Sequence, residues 1–255
     1  MDLGITGARA LVGGASGGLG AAIARSLAAE GARVAITARG VARLAVLASD
    51  IGGLAAPADL STPDGPAAAV GQVADAWGGL DLLVVNSGGP PFGRFAELTE
   101  EEWDQAIDGT LRSALRLIRA GLPHLRSSER GAILIILSSS VREPIDGLTT
   151  SNLIRPGLAG LIKSLASEIA PIRINGIAPG RVATDRIASL DTARAQRDGV
   201  TIDEIRRRTI ARVPLGRYGE PAEIGRVAAF LLSPAASYVT AQIVGVDGGM
   251  IRSLP

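Results

Sequence analysis

Two stretches of this chain combine residue types and spacings that suit chemistry on a bound nucleotide. The first, GGASGGLG at 13–20, puts Gly14, Gly18 and Gly20 in GxxxGxG spacing between a short apolar run and a helical period. A turn of that kind lets the backbone approach a diphosphate closely, and the free N–H groups of the helix start then face the phosphate oxygens. A Gly-rich connection without a ligand is the plainer reading, but its place between first strand and first helix favours the nucleotide. The second stretch is rich in hydroxyls. Ser138, Ser139 and Ser140 follow the run AILIIL (132–137), and TTSNLIRPGLAG (149–160) carries Ser151, Asn152 and Arg155.

The absence of cysteine excludes disulfides, thiolate catalysis and Cys-based metal sites, and no metal site is expected. Lys and Arg number 26 against 25 acids, so no global field draws nucleic acid or anionic lipid, and neither is expected as a partner. Aromatics make up only 3%, leaving Ala, Val, Leu and Ile to supply the packing. The N-terminus shows no secretory pattern and no apolar run reaches the ~18 residues of a membrane span, so a cytoplasmic protein is the default expectation.

These residues must be positioned by the elements around them. Short apolar runs at 8–12, 33–37, 80–85, 132–137, 173–178 and 242–246, with a weaker one at 53–57, alternate with helical periods at 19–31, 98–122, 151–170 and 221–233. That rhythm predicts βαβ units around a parallel sheet. Thr99 is the expected N-cap of the second helix, and Pro221 the first residue of the last. The charged segment 184–213 has no strand partner and reads as a helical flap over the site.

GGASGGLG, then VVNSGG (84–89), then IAPGRVATD (177–185), with PAEIGRVAAFLLS and VDGGM (246–250) near the end, resemble the short-chain dehydrogenase/reductase pattern over essentially the whole chain. The resemblance implies one NAD(P)-binding domain over 1–255. Its fold would be α/β: a Rossmann-like, doubly wound parallel sheet of about seven strands with helices on both faces, in three α/β/α layers. Gly13 departs from the family's usual threonine, which should loosen one hydrogen bond of the turn.

On that resemblance the cofactor site comprises Gly14, Ser16, Gly18, Leu19 and Gly20 at the phosphates, and Asp59 and Leu60 at the adenine. Asn86, Ser87 and Gly88 would line the adenosine ribose. Pro179, Gly180, Val182 and Thr184 would lie against the nicotinamide. The stretch from Ala32 to Ser49 lacks the acid that holds an NAD ribose, whereas Arg39 follows the second strand. Arginine pairs well with the 2′-phosphate of NADP, so NADP is preferred over NAD, although Arg39 also reads as a solvated loop charge.

The family usually supplies Ser, Tyr and Lys, with an Asn one helix earlier. Here Ser151 stands at the tyrosine position, Arg155 at the lysine position and Thr110 at the asparagine position. The serine is one of Ser138, Ser139 and Ser140; the first two join Ser151 and Arg155 as catalytic candidates, and counting leaves the register open. Arg155 stays protonated and can hold a ribose or a substrate anion, but it is a poor proton donor. Ser151 reads equally as a water-orienting hydroxyl or a helix cap, and Asn152 as an amide donor to substrate. Tyr218, Tyr238 and His124 fall outside the expected site.

The flap carries Arg186, Arg194, Arg197, Arg206, Arg207, Arg208 and Arg212, interleaved with acids. They read either as an anion-binding set or, more commonly, as a solvated helical face. The expectation is an NAD(P)-dependent alcohol/ketone oxidoreductase with an altered site, acting on a small molecule such as a 3-oxoacyl or sugar-like compound. The alternatives are a dinucleotide-binding protein without turnover, and non-redox chemistry on the same scaffold. Assembly as homodimer or homotetramer through the helices at 98–122 and 151–170 is also implied.

Overall fold

The computed structural model describes residues 2–253. Seven strands form one parallel sheet: β1 (Arg9–Gly13), β2 (Arg33–Thr37), β3 (Leu54–Ala55), β4 (Leu82–Val85), β5 (Ala132–Ile136), β6 (Arg173–Pro179) and β7 (Ile243–Val246). Their spatial order is β3-β2-β1-β4-β5-β6-β7, the doubly wound arrangement expected from the sequence.

Successive residues of each inner strand serve opposite cores. Ala10 and Val12 of β1, with Leu82 and Val84 of β4, pack against α1 (Gly18–Ala29), α2 (Val41–Ile51) and α9 (Pro221–Leu232). Leu11, Leu83 and Val85 face the other way, against α3 (Gly65–Trp77), α5 (Ser113–Arg126) and α6 (Thr149–Glu168). A strand buried on both faces cannot alternate polar and apolar residues, which explains the unbroken apolar runs. In α1, Gly20, Ile23, Ala24 and Leu27 recur at helical spacing and are buried.

Thr99 caps α4 (Glu100–Ala106) as expected, accepting from the Glu102 N–H while Glu102 reaches back to the Thr99 N–H. The single helix expected over 98–122 differs in detail. After α4 the chain takes a π-helical turn over Ile107–Arg112 and only then resumes in α5, which runs past Pro123 to Arg126. Two further helices, α2 and α3, lie outside the periodic stretches named above; α3 is Ala- and Gly-rich, so its apolar face contrasts little with the rest. The segment expected as a flap forms α7 (Asp185–Asp198) and α8 (Ile202–Ile210). No helix among the described residues is long and apolar enough to cross a membrane.

The sheet order reverses between β1 and β4. Loops leaving these neighbours diverge to opposite faces and open a crevice at the strands' carboxyl ends, where ligands of doubly wound sheets bind.

Candidate active site

That crevice continues into a cavity of about 760 Å³. Its floor at one end is the glycine turn. Gly14 and Gly18 adopt φ of +57° and +54°, and a Cβ on Gly20 would stand 2.5 Å from the Gly14 carbonyl oxygen. Asn86, at the end of β4, donates from Nδ2 to the carbonyls of Gly13 (3.0 Å) and Gly14 (3.3 Å), joining the two strand ends. A Cβ on Gly13 would meet the Asn86 carbonyl oxygen at 2.7 Å, so this backbone has no room for the family's usual threonine. The amide of Asn86, rather than a hydroxyl at position 13, secures the turn.

Gly14, Ser16, Gly18, Leu19, Gly20, Asn86, Ser87 and Gly88 all line the cavity, as do Pro179, Gly180, Val182 and Thr184 along its side. Thr184 caps α7, accepting from the Ile187 N–H, and its methyl group lies near Gly18. Arg39, Asp59 and Leu60 lie beyond the enclosed part. Arg39 is exposed after β2, and Leu60 reaches to within 3.3 Å of where a Gly13 Cβ would stand. Thr110 is buried in the π-helical turn and does not line the cavity.

At the far end α6 presents Ser151 and Arg155 one turn apart, both buried and both facing the cavity. Arg155 donates from Nη1 to the Ile136 carbonyl at 2.7 Å. Burial and the neighbouring Arg186 charge pull its guanidinium down to about 10, so it remains cationic at neutral pH. The α6 N-cap is Leu148, with no side-chain bond, so Ser151 lies inside the helix and the capping role is not the one it plays. Its Oγ instead lies 3.2 Å from Ser140 Oγ.

The three serines divide by what they face. Ser138 and Ser139 line the cavity, with Ser138 Oγ accepting from the Ser140 N–H. Ser140, behind them, is the one that touches Ser151. Asn152 does not offer an amide to substrate: Oδ1 accepts from the Ile145 N–H at 3.0 Å and Nδ2 donates to the Ile145 carbonyl at 2.9 Å. Both ends of the amide are occupied in fixing the loop after β5. Neither tyrosine reaches the cavity; Tyr218 donates to Asp191 at 2.9 Å and Tyr238 is fully exposed.

The arrangement can bind an elongated dinucleotide from the glycine turn to Thr184 and place a small carbonyl or alcohol between Ser139, Ser151 and Arg155. Steric fit at Gly20, the joined strand ends and the cavity volume all agree with a nicotinamide dinucleotide. The site is that of a nucleotide-dependent Rossmann-like protein.

The family pattern described as Enoyl-(Acyl carrier protein) reductase matches residues 14–251. The chain is 34% identical over 250 residues to the 3-oxoacyl-[acyl-carrier-protein] reductase of Vibrio cholerae, covering 96% of this chain and 98% of that one. It superposes on L-sorbose reductase from Gluconobacter frateurii, solved with NADPH and L-sorbose, with a TM-score of 0.92, 31% identity and full coverage of both chains. It also matches a short chain oxidoreductase from Pseudomonas aeruginosa described as containing an atypical catalytic center, with a TM-score of 0.88, 30% identity, and 98% and 100% coverage. The chain belongs to the short-chain dehydrogenase/reductase family of NAD(P)-dependent oxidoreductases.

Proposed function

We propose that this protein is an NADP(H)-preferring oxidoreductase interconverting a small ketone and its alcohol, with Arg155 and a serine pair replacing the phenol and ammonium. The observation that carries this reading is the buried Arg155, held by Ile136 and facing the cavity that begins at the glycine turn. When bound, the reduced nicotinamide supplies the hydride. Arg155 stabilises charge developing on the substrate oxygen, a service that a fixed cation performs well in a water-poor site. It keeps its own proton, so the proton that completes the alcohol comes from water in the cavity by way of the Ser151 hydroxyl, which Ser140 Oγ holds from behind at 3.2 Å. Ser139 faces the same space.

The exposed Arg39 after β2, without an acid nearby in sequence, supports the 2′-phosphate over the free ribose hydroxyl. NADPH is also the coenzyme solved with the L-sorbose reductase relative. Helices α7 and α8 serve as the cover of the site, since Ile187, Leu190, Ile205 and Thr209 line the cavity. Exposed Phe95 and Leu153, flanking the outer face of α4 and α6, support a homo-oligomer.

The test follows NADPH and NADH absorbance across ketones, sugars and acyl thioesters with the native protein and Arg155→Met. Native turnover, reduced about a hundredfold by the substitution, is the expected result. Tight coenzyme binding with no turnover on any compound would mean a dinucleotide-binding protein instead.

A further inference from the structure

We infer that the substrate carries a carboxylate and that Arg186 is its anchor, which makes the preferred ketone an oxo acid. This rests on the redox reading above only for the identity of the carbonyl; the anion site stands on its own geometry.

Most flap arginines behave as a solvated helical face should. Arg197 pairs with Asp146 and Asp198, Arg207 and Arg208 share Glu204, and the half-exposed Arg206 reaches toward the buried Asp191. Among the described residues Arg194 and Arg212 line the cavity without an ion pair, and Arg186 differs from them in being held in place. It is the second residue of α7, yet its side chain turns inward and lines the cavity. Nη2 donates to the Pro90 carbonyl at 2.6 Å, and the guanidinium carbon sits 3.7 Å from the centre of the Phe92 ring. One bond in its plane and one ring against its face leave the fork little freedom. Preorganisation of this kind lowers the ordering cost of binding a ligand.

Space for the side chain was made on the facing loop. A Cβ on Gly89 would stand 2.5 Å from the Arg186 guanidinium carbon, so any other residue at 89 would displace it.

The cation also lacks an anion. Among the described residues no carboxylate lies within 4 Å of Arg186 or of Arg155, although Glu143 and Asp185 line the same cavity. Two guanidiniums, Arg155 buried and Arg186 half-buried, therefore face one space without an ion-pair partner. The Arg186 charge is felt at Arg155, whose proton is loosened first by burial and then by that charge. Burying like charges together is costly unless an anion joins them. Arg186 offers a planar fork that matches a carboxylate, and Arg155 lies on the side where the carbonyl is reduced.

An anion at Arg186 has two sources, a substrate carboxylate or the coenzyme diphosphate, and the experiment separates them. Pyruvate, acetoacetate and levulinate, each beside its methyl ester, are titrated calorimetrically into the NADP⁺-loaded protein, where no reduction occurs. The same titrations use Arg186→Gln, and NADPH affinity is measured for both proteins. At least one acid is expected to bind about tenfold tighter than its ester, a modest return for a charge-assisted pair. In Arg186→Gln that preference disappears while ester binding and NADPH affinity hold. The inference is overturned if no acid outbinds its ester. It is equally overturned if the substitution weakens NADPH while the acid-to-ester ratio persists, which assigns Arg186 to the diphosphate. Acid preference without reduction of any compound by NADPH would keep the anion site and discard the redox reading.

Discussion

Ser140 Oγ lies 3.2 Å from Ser151 Oγ, with both residues about 4% exposed and with Arg155 one helical turn beyond. Two hydroxyls in contact can pass a proton without either acquiring the acidity of a phenol, provided that a cation nearby stabilises the oxygen that receives it. Ser151→Ala removes the cavity-facing member and should lower kcat about tenfold or more while leaving NADPH affinity unchanged. Ser140→Ala should have a smaller effect, since Ser151 would still face the cavity and its water. Steady-state kinetics beside a fluorescence titration of NADPH checks both; an undiminished kcat in Ser151→Ala would exclude the relay.

Coenzyme choice should turn on Arg39. Burial pushes the nearby Asp59 carboxyl up, but bonds from Ser61 and the charge of Arg39 outweigh it, so the guanidinium is felt on the side of β2 where the adenosine would lie. Arg39→Glu places a carboxylate where a phosphate is expected to bind. kcat/KM should fall at least about tenfold with NADPH and change much less with NADH. Equal losses with both coenzymes would show that Arg39 is not the discriminating residue.

Below the sheet, Asp81 should give the fold an acid-sensitive component. It accepts from Arg9 Nη2 at 2.7 Å, Arg9 Nε at 2.9 Å, the Arg9 N–H at 2.8 Å and Ser128 Oγ at 2.7 Å. Burial alone would raise its carboxyl, but these bonds prevail and hold it at about 2. A carboxyl depressed in the folded state adds stability above its unfolded value near 4, and that contribution fades as pH falls toward 2. Asp81→Asn should therefore cost about 2 kcal/mol at pH 7, and the gap to the native protein should narrow by pH 3. Urea unfolding at the two pH values measures it; a gap that widens on acidification contradicts the assignment.

The sheet was readable from sequence because a doubly buried strand has to be apolar throughout, and the edges of the seven runs moved by only a residue or two. Thr99 was readable because a capping box is a local pattern. What stayed hidden depends on partners distant in sequence or on the backbone. Three consecutive serines are chemically alike, and only the packing of α6 against the turn over Ser139–Val141 shows that Ser140 touches Ser151 while Ser138 and Ser139 face the cavity. The amide of Asn152 looked available because its partner is the main chain of Ile145, which no side-chain pattern reveals. Arg186 looked like its flap neighbours, since the absent side chain of Gly89 that seats it lies on another loop. A site residue placed by family position is also only as good as its local geometry. Thr110 falls where an asparagine was expected, yet the π-helical turn buries it in the wall.

The bonds from Asn86 to Gly13 and Gly14 span 73 and 72 residues of chain. The phosphate cradle is thus completed only when the fourth strand has been laid beside the first; neither segment possesses it alone. A half-assembled chain has nothing for the coenzyme to hold, so the coenzyme captures finished molecules and draws the population toward them in proportion to its concentration. Coenzyme supply would then raise the stability of the folded protein as well as feed its reaction.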